Sequence, residues 1–269
     1  MKIKDNGLSL EEHIEMQREI ELLKSPLGES WAHLSSAEAV IQATKYQQEL
    51  RKYLHDHNVK ITIGGNIGTG KSTWTRIISN SVDISGVFEL HAEHDHINDD
   101  LLHKFLLEPD KYCFQLQRYL IPKRLKSRER AASLSGSFIE DRTPEEDPGV
   151  FHLRFEERGY FKSGELEQLK EESIAAYRHA IPSDLMILLY CPPELSRIRV
   201  LERKRPEETK IWSLDELRNL ARIYHDLPNQ VRSFELHKGP ILSFDMHIID
   251  ITNRINEGYV YQTILEALK

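Results

Sequence analysis

The chain has 269 residues, 39% of them hydrophobic and 29% charged, with 43 acids against 36 Lys and Arg and a formal net charge of −7. That is length enough for one α/β domain with an appendage. The negative balance disfavours bulk nucleic-acid or anionic-membrane binding, and no apolar run approaches the ~20 residues that span a bilayer.

Two cysteines far apart, Cys113 and Cys191, imply a reducing compartment without a disulfide framework. The first thirty residues have no signal-peptide core and are rich in acids (Asp5, Glu11, Glu12, Glu15, Glu19, Glu21). That argues against a transit peptide and places the protein in the cytoplasm.

Residues 1–57 read as a helical N-terminal extension preceding the main fold at 58–269. Leu8, Leu10, Ile14, Ile20, Leu22 and Leu23 recur among polar residues, and Ser25-Pro26-Leu27-Gly28 is a break. Ser35 and Glu38 stand in capping-box spacing and start a helix over 36–55, with Val40, Ile41, Tyr46, Leu50 and Leu54 as its apolar face. Packing on the core or pairing subunits suits this extension better than chemistry does.

The run Val59–Ile63 reads as a strand, and Gly65-Asn66-Ile67-Gly68-Thr69-Gly70-Lys71-Ser72, with Thr73 after it, matches the phosphate-loop pattern in full. A helix over 71–80 follows. Glycines let such a loop turn tightly and aim backbone N–H groups at an anion, and the helix dipole points the same way. In that geometry Lys71 reaches the β- and γ-phosphates of ATP and the Ser72 hydroxyl sits on Mg²⁺.

Strands and helices then alternate. Val87–Leu90 is a short strand, 98–134 is helical with an interruption at Pro109, and Phe138–Glu140 is a third strand. A helix covers 164–180. Leu185–Tyr190 is a continuous apolar run, as in a strand buried on both faces. Helices fill 193–205 and 213–236, and either 241–244 or 248–251 supplies the last strand. The pattern predicts an α/β three-layer fold: a central five-stranded parallel sheet flanked by helices, with ligands at the carboxyl ends of the strands.

Four segments cluster at those predicted ends: the phosphate loop, Ala92-Glu93-His94, Glu140-Asp141-Arg142-Thr143, and the basic run Arg197, Arg199, Arg203 and Arg205 before Pro206-Glu207-Glu208. A phosphotransferase needs a base beside the acceptor, a cation on the transferring group and Mg²⁺. Glu93 fits the base, Arg142 the cation and the arginine run a lid. His91, His94 and His96 invite a zinc reading, but tetrahedral sites need a second cluster of ligands and the sequence offers none.

The order GNIGTGKST, AEH, FQLQRY, EDRT, LLYCPPE and RKRPEE resembles the deoxynucleoside kinases over roughly 58–252. The resemblance implies a P-loop kinase fold and ATP- and Mg²⁺-dependent phosphorylation of a deoxynucleoside 5′-hydroxyl. By that resemblance Glu93 takes the hydroxyl proton and Arg142 steadies the 5′-oxygen and phosphates. Asp141 helps hold Mg²⁺ with Ser72. Gln117 reads the base edge beside Arg124 and Asp147, which favours a purine, with cytosine next and thymine last. Arg203 and Arg205 close over the phosphates, and Glu208 reaches the sugar 3′-hydroxyl. A homodimer through helices near 98–134 and 164–180 is also implied, with no nucleic-acid or membrane partner.

The chain departs from the family where His94 replaces a proline after the glutamate, where Leu106 replaces a tyrosine, and in the rigid, acidic Thr143-Pro144-Glu145-Glu146. Two other readings are a nucleoside monophosphate kinase, which would need an additional positive pocket, and a catalytically idle subunit of the same fold.

Overall fold

The computed structural model describes residue 27 and residues 29–88 and 99–269. Five strands, Lys60–Gly65 (β1), Ser85–Val87 (β2), Phe138–Asp141 (β3), Leu185–Tyr190 (β4) and Ile241–Asp245 (β5), form one sheet in the order β2-β3-β1-β4-β5. Every pairing is parallel. Each crossover therefore needs a helix, and helices cover both faces.

Alternation along β4 shows how the two faces are built. Leu185, Ile187 and Leu189 point into a core shared with Ile61, Ile63, Trp74, Ile78, Tyr261 and Ile264. Met186 and Leu188 point the other way, against Leu220, Leu227 and Phe151. Burying about half a dozen such side chains contributes roughly 1.5–3 kcal/mol each before chain entropy is counted.

The helix Ser36–His57 starts where the capping box requires: the Ser35 N–H donates to Glu38 Oε2 at 2.8 Å and the Glu38 N–H donates back to Ser35 Oγ at 3.3 Å. Leu50 and Leu54 are buried as expected and Tyr46 packs on the core, but the first turns present a different face. Ala39 and Ala43 are buried there, whereas Val40 and Ile41 are 43% and 70% exposed. The small residues face the helix Arg254–Leu268, and a Cβ added at Gly258 would lie 2.3 Å from Ala43 Cβ. Close backbone approach selected alanines over branched side chains. The expected helix within 1–26 lies outside the described residues.

Other elements shift for local reasons. β2 occupies Ser85–Val87, earlier than the expected 87–90, pairing Gly86 with Ile139; residues 89 and 90 lie outside the described set. The last strand is Ile241–Asp245, and 248–251 is a turn ahead of the Asn253 cap, whose side chain accepts from the Ile255 N–H at 2.9 Å. The helix expected over 193–205 stops at Glu202, because Pro206 holds Arg205 in an extended conformation (φ −102°, ψ 103°), and a second short helix runs Pro206–Ile211. The segment after Arg142, for which no element was foreseen, forms a π-helical turn Asp147–Phe151 running into the helix His152–Glu157.

Candidate active site

Strand order reverses at β1, which has β3 on one side and β4 on the other, so the crevice at its carboxyl end is the switch point where such sheets bind ligands. The phosphate loop occupies that crevice. Gly68 and Gly70 have φ of 79° and 98°, which branched L-residues avoid, and a Cβ on Gly68 would meet the Ser196 carbonyl oxygen at 2.7 Å. The loop braces itself: Asn66 Nδ2 donates to the Leu217 carbonyl at 2.9 Å, Asn66 Oδ1 accepts the Ile67 N–H at 2.7 Å, and Thr69 Oγ1 donates to the Asn66 carbonyl at 2.9 Å. Lys71 Nζ donates to the carbonyls of Gly65 (2.8 Å) and Asn66 (3.1 Å). Thr73 is half-buried in the first turn of the helix Lys71–Val82.

β3 delivers the next two groups. Asp141 ends the strand and accepts from the Ser72 hydroxyl at 2.5 Å. A hydroxyl and a carboxylate brought together beside a phosphate loop are hard oxygen donors of the kind Mg²⁺ takes alongside phosphate oxygens and water, so the residues fit that ion. Arg142 follows in a left-handed conformation (φ 72°), its N–H donating to the Ile63 carbonyl at 2.8 Å. That turn throws the side chain back across the sheet end, where its guanidinium lies 4.2 Å from the Phe151 ring centroid and its Nε 3.7 Å from Glu146 Oε2. A non-glycine residue held there costs about 1–3 kcal/mol, a cost borne at functional sites.

A cleft lies between β3 and the helix Pro109–Ala132. Phe88, Arg124, Ser127, Glu140, Asp141, Arg142 and Pro144 line it. Arg124 Nε lies 2.9 Å from Asp147 Oδ2, too far off axis for a hydrogen bond, and Asp147 Oδ2 also accepts from the Tyr177 hydroxyl at 2.7 Å. Gln117 is buried on the same helix, and among the described residues nothing hydrogen-bonds its amide. Leu106 is half-buried against the neighbouring core. Glu93, with His91, His94 and His96, lies outside the described residues.

Three groups here escaped the sequence reading. Arg128 is buried between two carboxylates, its Nε 3.0 Å and Nη2 2.9 Å from Glu140 Oε2 and its Nη1 2.7 Å from Glu145 Oε1; Thr143 also bonds Glu145. One cation shared by two buried acids splits them. Burial raises the Glu140 carboxyl above its usual range despite Arg128, whereas at Glu145 the charge and bonds of Arg128 outweigh burial and lower it. Glu146 is fully buried, and His152 is buried with no partner on either ring nitrogen among the described residues. Acids after an arginine normally read as exposed, so only a turn that drives them inward could have revealed them.

On the β4 side, Arg199 Nη1 donates to the Gly68 and Thr69 carbonyls at 3.2 and 3.3 Å, bracing the loop from above. Arg197 Nη1 donates to the Thr209 and Trp212 carbonyls at 3.0 and 2.9 Å, tying down the end of the short helix Pro206–Ile211. Arg203 and Arg205 are largely exposed and meet Glu208 at 3.4 and 2.7 Å. Such exposed pairs are worth about 0–1 kcal/mol, little enough for an incoming phosphate to displace.

The site sets an anion-binding loop at the end of β1 beside a small polar cleft that contains Arg124, Asp141 and Arg142. Comparison with known proteins agrees. The family model for deoxynucleoside kinases matches residues 61–268. The chain is 29% identical over 174 residues to the deoxyadenosine kinase of Dictyostelium discoideum, covering 65% of this chain and 68% of that one. It is 31% identical over 102 residues to the deoxyadenosine/deoxycytidine kinase of Bacillus subtilis (strain 168), covering 38% and 45%. The fold matches the structure of deoxyadenosine kinase from M. mycoides with bound dATP at a TM-score of 0.64 and 22% identity, over 77% of this chain and 99% of that chain. A family match over most of the chain, on a fold whose phosphate loop, Asp-Arg-Thr turn and basic run of Arg197 to Arg205 stand in the order read from the sequence, leads to one conclusion: the chain belongs to the deoxynucleoside kinase family.

Proposed function

We propose that this chain transfers the γ-phosphoryl group of ATP to the 5′-hydroxyl of a purine deoxynucleoside, deoxyadenosine first, with deoxycytidine as the second substrate. The observation that carries the acceptor is Gln117: a largely buried side chain whose amide has no hydrogen-bond partner among the described residues, two turns before Arg124 on the same helix. An amide both donates and accepts, so it can read a base edge that does the same. Adenine and cytosine each present an amino group next to a ring nitrogen, the complementary edge. The names of the relatives from Dictyostelium and Bacillus support the same pair of bases.

In this reading Glu93 accepts the 5′-hydroxyl proton. Arg142 holds the 5′-oxygen and the transferring group, and Lys71 with the loop N–H groups of 65–73 holds the β- and γ-phosphates. Arg203 and Arg205 leave Glu208 for the phosphates, which frees Glu208 for the sugar 3′-hydroxyl. Ser72 and Asp141 would hold Mg²⁺, which when bound neutralises charge on the phosphates. Cytoplasmic location and a homodimer, packed through the adjoining helices Pro109–Ala132 and Glu165–Arg178, complete the proposal.

The test is incubation of the pure chain with ATP, Mg²⁺ and each of the four deoxynucleosides or dAMP, followed by chromatographic separation. Deoxyadenosine 5′-monophosphate is the expected main product. Product from dAMP alone would move the acceptor to the monophosphates, and no product from any acceptor would sink the reading.

A further inference from the structure

Glu146 belongs to the turn after Arg142 and is 0% exposed. Its Oε1 accepts the Gly65 N–H at 2.8 Å and the Tyr224 hydroxyl at 2.9 Å. Among the described residues its Oε2 takes no hydrogen bond, and it faces Arg142 Nε at 3.7 Å. Gly64 makes room for it, since a Cβ there would lie 3.1 Å from Oε1. One carboxylate thus joins the entrance of the phosphate loop, the arginine turn after β3, and the helix Leu214–Ser233.

Phosphate loops bind anions through backbone N–H groups and nearby cations. Here a loop N–H and a site arginine already face an anion that belongs to the protein. Burial opposes the charge on Glu146 and raises its carboxyl above the usual range, while Arg142, Lys71, the Gly65 N–H and the Tyr224 hydroxyl sustain it. An unbalanced pair of cations at this depth would repel each other and draw in any anion.

We propose that Glu146 is a positioning residue: an internal anion that holds the phosphate loop and Arg142 as one charge-balanced unit and yields Arg142 to the nucleotide when ATP binds. Only the turnover arm of its test rests on the kinase reading above. Glu146→Gln keeps an oxygen for Gly65 and Tyr224 and removes the charge. We expect opposite changes in two quantities: ATP binding by calorimetry at least threefold tighter, because Arg142 and Lys71 lose their competitor, and kcat at least tenfold lower, because Arg142 loses its anchor. The acid limb of kcat should flatten in the same variant. A residue that only supports the fold would weaken both together. Weaker or unchanged ATP binding, or an unchanged kcat, overturns the proposal.

Tyr224→Phe removes one bond to Glu146 without touching charge, and serves if the glutamine variant does not fold. It should lower kcat severalfold and leave ATP affinity unchanged, and an unchanged kcat counts against the proposal. Should the unmodified chain phosphorylate no nucleoside, the kinase reading falls while the ATP titration still decides the role of Glu146.

Discussion

Replacing Gly258 by alanine tests the helix pairing that carries one face of the fold. Gly258 lies inside the helix Arg254–Leu268, where alanine on a free surface would stabilise by about 1 kcal/mol. The structure predicts the opposite sign. The new Cβ would lie 2.3 Å from Ala43 Cβ, 2.5 Å from Ala43 Cα and 2.9 Å from Trp31 Cη2. Carbon atoms pack at about 3.5–4.0 Å, so the two helices would have to part by on the order of 1 Å. Two of the three obstructing atoms belong to or adjoin the Ala43 backbone, which cannot swing aside as a side-chain tip can. Overpacking costs about 1–3 kcal/mol, and the upper end applies here. Less the propensity gain, the net loss is about 2 kcal/mol, a fall in Tm of about 4–8 °C for a chain of this size. Urea unfolding followed by circular dichroism measures it directly. Ala43→Gly in the same chain should recover only part of the loss, since the Cα of Ala43 remains in the way. A Gly258→Ala variant as stable as the parent, or more stable, refutes the packing argument.

Three further outcomes are expected. Lys71→Met should lower kcat by about 100-fold or more while the fold persists, because a preorganised charge aimed at the transferring group is lost; activity within tenfold of the parent would count against the loop as the catalytic centre. Gln117→Ala should raise the KM for deoxyadenosine about tenfold and leave the KM for ATP unchanged, the loss of hydrogen bonds to a base edge; an equal rise in both would remove Gln117 from the acceptor site. His152 gives a pH dependence: burial lowers its imidazole from 6.5 to about 4. The unfolded chain then binds the extra proton between those values, so stability is intact above 6.5 and falls by about 3 kcal/mol as pH drops through that window towards 4. His152→Leu should shallow the slope of stability between those pH values, and an unchanged slope would show that other groups carry it.

The phosphate loop was legible because its function needs particular residues at fixed spacing, and β4 because six apolar residues in a row suit only a strand buried twice. The capping box at Ser35 and Glu38 was likewise a local signal that the structure reproduces. The failures are equally physical. Val40 and Ile41 fit a helical stripe, yet the partner helix approaches through Gly258 and takes Ala39 and Ala43 instead. Helical period tells which residues share a face but not how near the neighbour comes. The lid was read as one helix because charge and propensity run through it, whereas Pro206 breaks it from the far side.

Local chemistry alone was enough for the parallel α/β fold and the order of the phosphate loop, the Asp141-Arg142-Thr143 turn and the arginines 197 to 205, since those depend on backbone conformation and residue type. Charge balance depended on folding. Glu140, Glu145 and Glu146 look like a solvated acidic turn in the sequence, and the turn at Arg142 carries them inside to meet Arg128, Gly65 and Tyr224. A buried charge is stable only beside its partners, and those partners are 12 to 81 positions away in the chain, so no reading of neighbours could have found them.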